Sequence, residues 1–172
     1  MIVRRFVPTF ARWLHGVSLS LWLGGLVAVG ALVAPITFRA VRTAPVLASN
    51  ADAQNALAGG IVGDSLSRLN VVSLVCAILI LTANGLLLTL GRLSRPARRW
   101  TWACLCVTLA GGALTVYLAA VLFPLLHATP RGTARFDQLH VLDVRLSGLQ
   151  MALLLLLALL SAARDSAEAH SP

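Results

Sequence analysis

Four long apolar stretches, separated by short polar ones, dominate the chain. They run from about Phe10 to Phe38, from Asn70 to Leu90, from Thr101 to Phe123 and from about Leu146 to Ala163. Inside each stretch the apolar residues are nearly continuous, without the alternation that marks one wet and one dry face. Each is close to the roughly 20 residues a helix needs to cross the hydrocarbon core of a bilayer. Lipid offers no partners to a backbone, so such segments must satisfy their own hydrogen bonds as helices. The pattern predicts an all-α integral membrane protein, a four-helix bundle crossing the bilayer four times.

Two helices are expected to extend beyond the membrane on the outer side. Before the second span, Ile61, Ser65 and Leu69 fall at helical spacing, and Asp64 stands four residues before Arg68, a supportive pair. Before the fourth, Leu139, Leu142 and Leu146 make an apolar stripe, while Asp137, His140 and Asp143 share one broad face. Both extensions need cover from water, which predicts that they pack on each other. The segment from Thr43 to Gly60 reads as a polar, Ala-rich loop, and the tail over residues 165–172 reads as disordered. No internal repeat is visible. The basic start MIVRR ahead of an apolar run could open a signal peptide. The run is longer than the usual 7–15 apolar residues, and Pro35 follows the one small-residue stretch, so a retained helix is expected.

Arginine placement sets orientation. Arg4, Arg5, Arg12, Arg164 and the four arginines of the link GRLSRPARRW lie on one side. Arg39, Arg42, Arg68, Arg131, Arg135 and Arg145 lie on the other. The totals are close, but dense charge in a short link resists translocation, which predicts both termini in the cytoplasm of a bacterial inner membrane.

Composition agrees. In 172 residues the hydrophobic fraction is 58 % and the charged fraction 12 %, more apolar surface than one small soluble core could hide. The net charge is +8 and every one of the 14 basic residues is Arg. In a soluble protein this would suggest nucleic acid. Here the arginines sit at the ends of apolar runs, where lipid phosphates receive them, and the bilayer is the expected partner. Cys76, Cys104 and Cys106 all lie in apolar runs and form no disulfide framework.

Polar residues within the spans are the candidates for function. His15, Ser18 and Trp22 line one face of the first helix, with His15 near the cytoplasmic headgroups. Asn70 and Asn84 fall nearly on one face of the second, close to Ser73 and Cys76. Structural hydrogen bonding across a helix interface competes with ligand binding as their role. In the third helix Cys104, Thr108, Gly111 and Thr115 share a face expected to look into the bundle. Gly16, Ser20, Gly24 and Ala28 recur every four residues, and packing inside the bundle is the default reading; a homodimer contact or a gate is the alternative. On the outer side, His127, Asp137, His140 and Asp143 could ligate a borderline divalent metal, with Asp64 and Arg68 nearby. The competing reading pairs the two aspartates with Arg135 and Arg145 on a solvated helix.

Other chemistry is argued down. A b-type haem wants two histidines at similar depth, and His15 and His140 should lie near opposite faces. Copper export uses soft ligands, yet Met1 and Met151 are the only methionines. No glycine-rich phosphate loop and no nucleophile–base arrangement is visible. No enzymatic activity and no resident cofactor are expected, with divalent metal and haem kept as options.

The stretch WLHGVSLSLWLGGLVAVGALVAPITFR, through His15, Trp22, Gly24, Gly25, Pro35, Phe38 and Arg39, resembles the first helix of the transmembrane-protein-205-like family. AGGIVGDSLSRLNVV resembles that family's entry to the second helix, and RFDQLHVLDVRLSGLQ its fourth, with Phe136 and His140 in place. The family pattern has Asn seven residues after the histidine, where this chain has Ser147. The resemblance covers nearly the whole chain and implies a four-helix membrane domain of unknown function. That family is associated with tolerance of platinum compounds in animals. The first helix alone is also similar to copper-resistance D-type membrane proteins. The expected function is a small-ligand or metal-binding, transport-associated bundle, with the polar groups lining a cleft between helices one, two and four. A copper-resistance D-like or haem-binding redox protein is the alternative, and a subunit of another membrane protein a third class.

Overall fold

Long apolar helices separated by capping residues are what the computed structural model contains. It describes residues 2–45, 50–91 and 93–169, with side chains from residue 6 onward. In chain order the elements are α1 (Ile2–Val27), a π-helical segment (Ala28–Val33), α2 (Ala34–Arg42), α3 (Ala51–Leu90), α4 (Arg95–Tyr117), a second π-helical segment (Leu118–Leu122), α5 (Phe123–Ala128) and α6 (Ala134–Ala169). Among the described residues there is no strand, and four continuous helical stretches are long and apolar enough to cross a membrane: Phe6–Arg42, Ala51–Leu90, Arg95–Ala128 and Ala134–Ala169.

Two spans carry a π-helical segment and two do not, for a local reason. Pro35 and Pro124 lie just after the π-helical segments. Proline has no N–H and its ring crowds the carbonyl one turn back. Widening the preceding turn to π geometry lets each helix run on without a sharp break. The chain thus makes two hairpins of similar plan, α1–α2 with α3 and α4–α5 with α6. Around the bundle the order is α1, α3, α4, α6, with α1 and α6 touching least of the four neighbouring pairs.

Caps decide where the helices begin. Asn50 accepts a hydrogen bond from Ala53 N at 2.9 Å, Ser94 accepts one from Ala97 N at 3.4 Å, and Thr133 accepts one from Phe136 N at 3.2 Å. Gly132, at φ 79°, takes the left-handed conformation that lets the chain reverse into α6. Asn50 corrects the expected loop from Thr43 to Gly60, because once capped the Ala-rich stretch is helical from Ala51. The tail expected to be disordered is helical as far as Ala169, where α6 continues and Glu168 pairs with Arg12 of α1. Residues 170–172 lie outside the described residues.

The outer extensions of α3 and α6 do not pair as expected. The first half of α3 lies against α2, and its Gly59 and Gly63 approach Arg131 and His127. Diagonal placement of α3 and α6 in the square bundle keeps them apart.

Burial is inverted relative to a water-soluble protein. Leu21, Ile36, Ile78 and Leu159 are 58–69 % exposed. His15, Asn84, Thr101, Gln150 and Arg164 are at most 1 % exposed. With lipid outside, apolar side chains gain nothing by hiding, and polar ones must find each other. The central apolar packing joins Leu19, Trp22, Cys76, Ile80, Leu154 and Leu157.

Candidate functional site

The densest buried polar cluster sits at the end of the bundle that holds both chain termini. His15 of α1 is 1 % exposed, and its Nε2 lies 2.7 Å from Ser161 Oγ on α6. The Ser161 hydroxyl donates its proton to Leu157 O at 2.7 Å. Its oxygen therefore faces the imidazole as an acceptor, so His15 carries hydrogen on Nε2 and Nδ1 is bare in the neutral ring. Cys104 Sγ of α4 stands 3.8 Å from the same serine oxygen.

One turn along α6, the Arg164 guanidinium is 1 % exposed. Its Nη1 donates to Asn84 Oδ1 of α3 at 3.3 Å and its Nε to Asp165 Oδ1 at 2.9 Å. With Oδ1 turned to the arginine, the amide nitrogen of Asn84 points elsewhere, and the amide lies beside the His15 ring. Yet neither His15 Nδ1 nor Asn84 Nδ2 reaches a partner at hydrogen-bonding distance. Arg12 and Glu168 form an ion pair at the same end. All four spans contribute to this cluster.

A second polar layer lies further into the bundle. Gln150 Nε2 donates to Thr115 Oγ1 at 2.6 Å, and Thr115 passes its own proton to Gly111 O at 2.9 Å. Trp22 is fully buried with Nε1 unpaired, and so is the hydroxyl of Ser73. Gly111 is needed here for a close approach, since a Cβ there would stand 3.3 Å from the Trp22 ring.

The structure places the sequence candidates as follows. His15, Ser18, Trp22, Asn70 and Asn84 are buried, and His15 and Asn84 come together. His140 is exposed at the opposite end, stacked on Phe136. Among the described residues no three His, Cys, Asp or Glu side chains converge as metal ligands, so His127, Asp137, His140 and Asp143 do not make one site. Asp137 is exposed, Asp143 is buried, and His127 lies against α3. A helix turns about 100° per residue, so i, i+3 and i+6 spread too widely for three side chains of α6 to meet. Gly16, Ser20 and Gly24 are exposed instead of packed in the bundle, with nothing within 4 Å of where a Cβ would stand at Gly16 or Gly24. The α4 face of Cys104, Thr108, Gly111 and Thr115 is buried.

Sequence reasoning missed Ser161, Arg164 and Gln150. Arg164 counts as an orientation charge when read alone, since an arginine ending an apolar run ordinarily reaches for headgroups. A usable signal was the spacing of Gln150, Leu154, Leu157, Ser161 and Arg164, which puts them on one stripe of α6, all buried.

Haem geometry can be tested directly. The serine that meets His15 lies nearly six turns beyond His140 along α6, roughly 30 Å. His15 and His140 therefore lie too far apart to ligate one iron.

No curated protein and no solved structure matches the chain. One family model does, from within α1 to the end of α5. The match covers residues 17–129, and the protein belongs to the family of the domain of unknown function DUF4149.

Proposed function

We propose that this multi-pass membrane protein binds a small ligand through the buried cluster around His15, Asn84, Ser161 and Arg164, in a non-enzymatic role associated with transport. The observation that carries the reading is a guanidinium 1 % exposed inside a bundle of apolar helices, beside two buried side chains that each keep an unpaired polar atom. A charge taken out of water is costly unless it is paired and hydrogen-bonded. An arrangement serving packing alone leaves few buried groups unpaired, because each carries a desolvation cost of about 1–3 kcal/mol. Arginine and amide donors call for a ligand with oxygen acceptors. A metal ion is disfavoured there by the adjacent guanidinium.

Native mass spectrometry of the purified protein tests this. Wild type should retain a reproducible adduct that Asn84→Ala loses. A bare wild-type mass in every detergent would remove the support for a ligand. A Soret band at stoichiometric strength would revive the haem-binding redox alternative.

The transmembrane-protein-205-like resemblance supports the same helix-one residues, His15 and Trp22, and adds platinum tolerance by analogy alone. The copper-resistance D-type likeness rests on helix one. Arginine density supports cytoplasmic termini in a bacterial inner membrane. Reporter fusions after Ser94 and after Asn50 should report opposite compartments, with Ser94 inside. The uncovered Gly16, Ser20 and Gly24 face supports a homodimer in the membrane. Gly24→Leu should then lower the crosslinked dimer yield.

A further inference from the structure

A route into the buried cluster follows from how the four spans are joined. Three neighbouring pairs around the bundle are tied by a link: α2 to α3 through residues 43–50, α3 to α4 through residues 91–94, and α5 to α6 through residues 129–133. The first and last spans, α1 and α6, share no link, and they are also the pair that touches least. Local opening is cheapest where the fewest contacts must break, which places it at the α1–α6 seam.

Two polar contacts cross this seam at the termini end. His15 meets Ser161, and Arg12 pairs with Glu168, about two turns further along α6. They differ in depth. His15 and Ser161 are 1 % and 9 % exposed, whereas the Arg12 and Glu168 side chains keep 35 % and 30 %. A partly exposed ion pair is weak, so it restrains an opening without forbidding it. Behind the seam lie the unpaired His15 Nδ1 and Asn84 Nδ2, and the fully buried Cys104, with Sγ 3.8 Å from Ser161 Oγ. The outer surface near the cluster is apolar on both helices, with Trp13 and Val17 on α1 and Leu156 and Leu159 on α6 all exposed. Lipid is the medium that such a surface fits.

We propose that α1 and α6 part at this end to admit the ligand of the buried cluster from the lipid phase, with the Arg12–Glu168 pair as the clasp. The ligand is then an amphiphile carried in the bilayer. Its oxygen-bearing head accepts from the Asn84 amide, and its apolar tail stays in lipid at the seam. What enters rests on the ligand-binding reading above, whereas the opening itself is measured without any ligand.

Cys104 is the reporter. The full-length chain carrying Cys106→Ser keeps two cysteines, Cys76 and Cys104, both buried. It is reconstituted in phosphatidylcholine vesicles and treated with N-cyclohexylmaleimide, which enters lipid, or with a sulfonated maleimide, which stays in water. Peptide mass spectrometry reads the labelling rate at each cysteine. The lipid-soluble reagent should label Cys104 and the sulfonated one should leave it. Glu168→Gln should speed Cys104 labelling by about two- to fivefold, the scale of a partly exposed ion pair, with Cys76 unchanged. The exchanged pair Arg12→Glu with Glu168→Arg should return the wild-type rate. An unchanged Cys104 rate in Glu168→Gln, an equal rise at Cys76, no rescue by the exchanged pair, or equal labelling by both reagents would each overturn the route. Native mass spectrometry of the same samples separates this inference from the reading it rests on. A retained adduct with Cys104 closed to the lipid-soluble reagent keeps the ligand and overturns the route. A bare protein with the expected labelling keeps the opening and overturns the amphiphile.

Discussion

The two ends of the bundle place arginine and histidine in opposite ways. At the termini end Arg164 is buried and held by Asn84 and Asp165, and His15 is buried against Ser161. At the other end Asp64, Arg68, Asp137 and His140 are exposed, and the Asp64–Arg68 pair lies on the surface of one helix. The difference teaches that polar content alone does not say which groups of a membrane bundle depend on one another. What counts is whether polar groups from different helices are forced to share a buried space, since there each depends on the others.

The strongest challenge to this contrast is Asn84→Leu. It leaves the Arg164 guanidinium buried without its acceptor on α3, and the loss of a hydrogen bond to a charged group should cost about 2–3 kcal/mol. Arg164→Met removes the charge together with its demand for partners, and it should cost less than Asn84→Leu. Thermal unfolding in one detergent, compared across wild type and both variants, checks the ranking. The reverse order would mean that the arginine itself, not its satisfaction, supports the end of the bundle.

Gly111→Val sharpens the contrast by testing depth. Its branched side chain would press on the Trp22 ring, with an overpacking cost of about 1–3 kcal/mol. A stable variant with shifted tryptophan fluorescence would show that Trp22 can give way.

The opposite end should be tolerant. Arg68→Ala removes one partner of an exposed pair and should change stability by no more than about 1 kcal/mol. His140→Ala should lie within about 0.5 kcal/mol of wild type. If either approached the effect of Asn84→Leu in the same unfolding assay, the two ends would not differ as described.

Much of the architecture was legible because lipid imposes simple rules. Run lengths predicted four spans, and the small-polar periodicity of α4 predicted the inward face of Cys104, Thr108, Gly111 and Thr115, which is buried. The same rule misled for α1. Gly16, Ser20 and Gly24 have packing spacing, yet in lipid a small-residue face is as comfortable outside as in, and here it is exposed. The α6 candidates were overvalued because charged residues close in sequence look like a cluster, whereas on a helix they fan out.

By itself, the sequence determined the number of spans and the membrane as solvent, both of which depend on neighbours along the chain. Only the tertiary structure decided that His15 meets Ser161, 146 positions away, and that Asn84 meets Arg164, 80 positions away. It also decided that His127 belongs with α3 and not with α6. Those pairings depend on the rotation and order of the helices around the bundle. Apolar surfaces that are equally at ease against lipid and against each other do not encode that order in any local pattern.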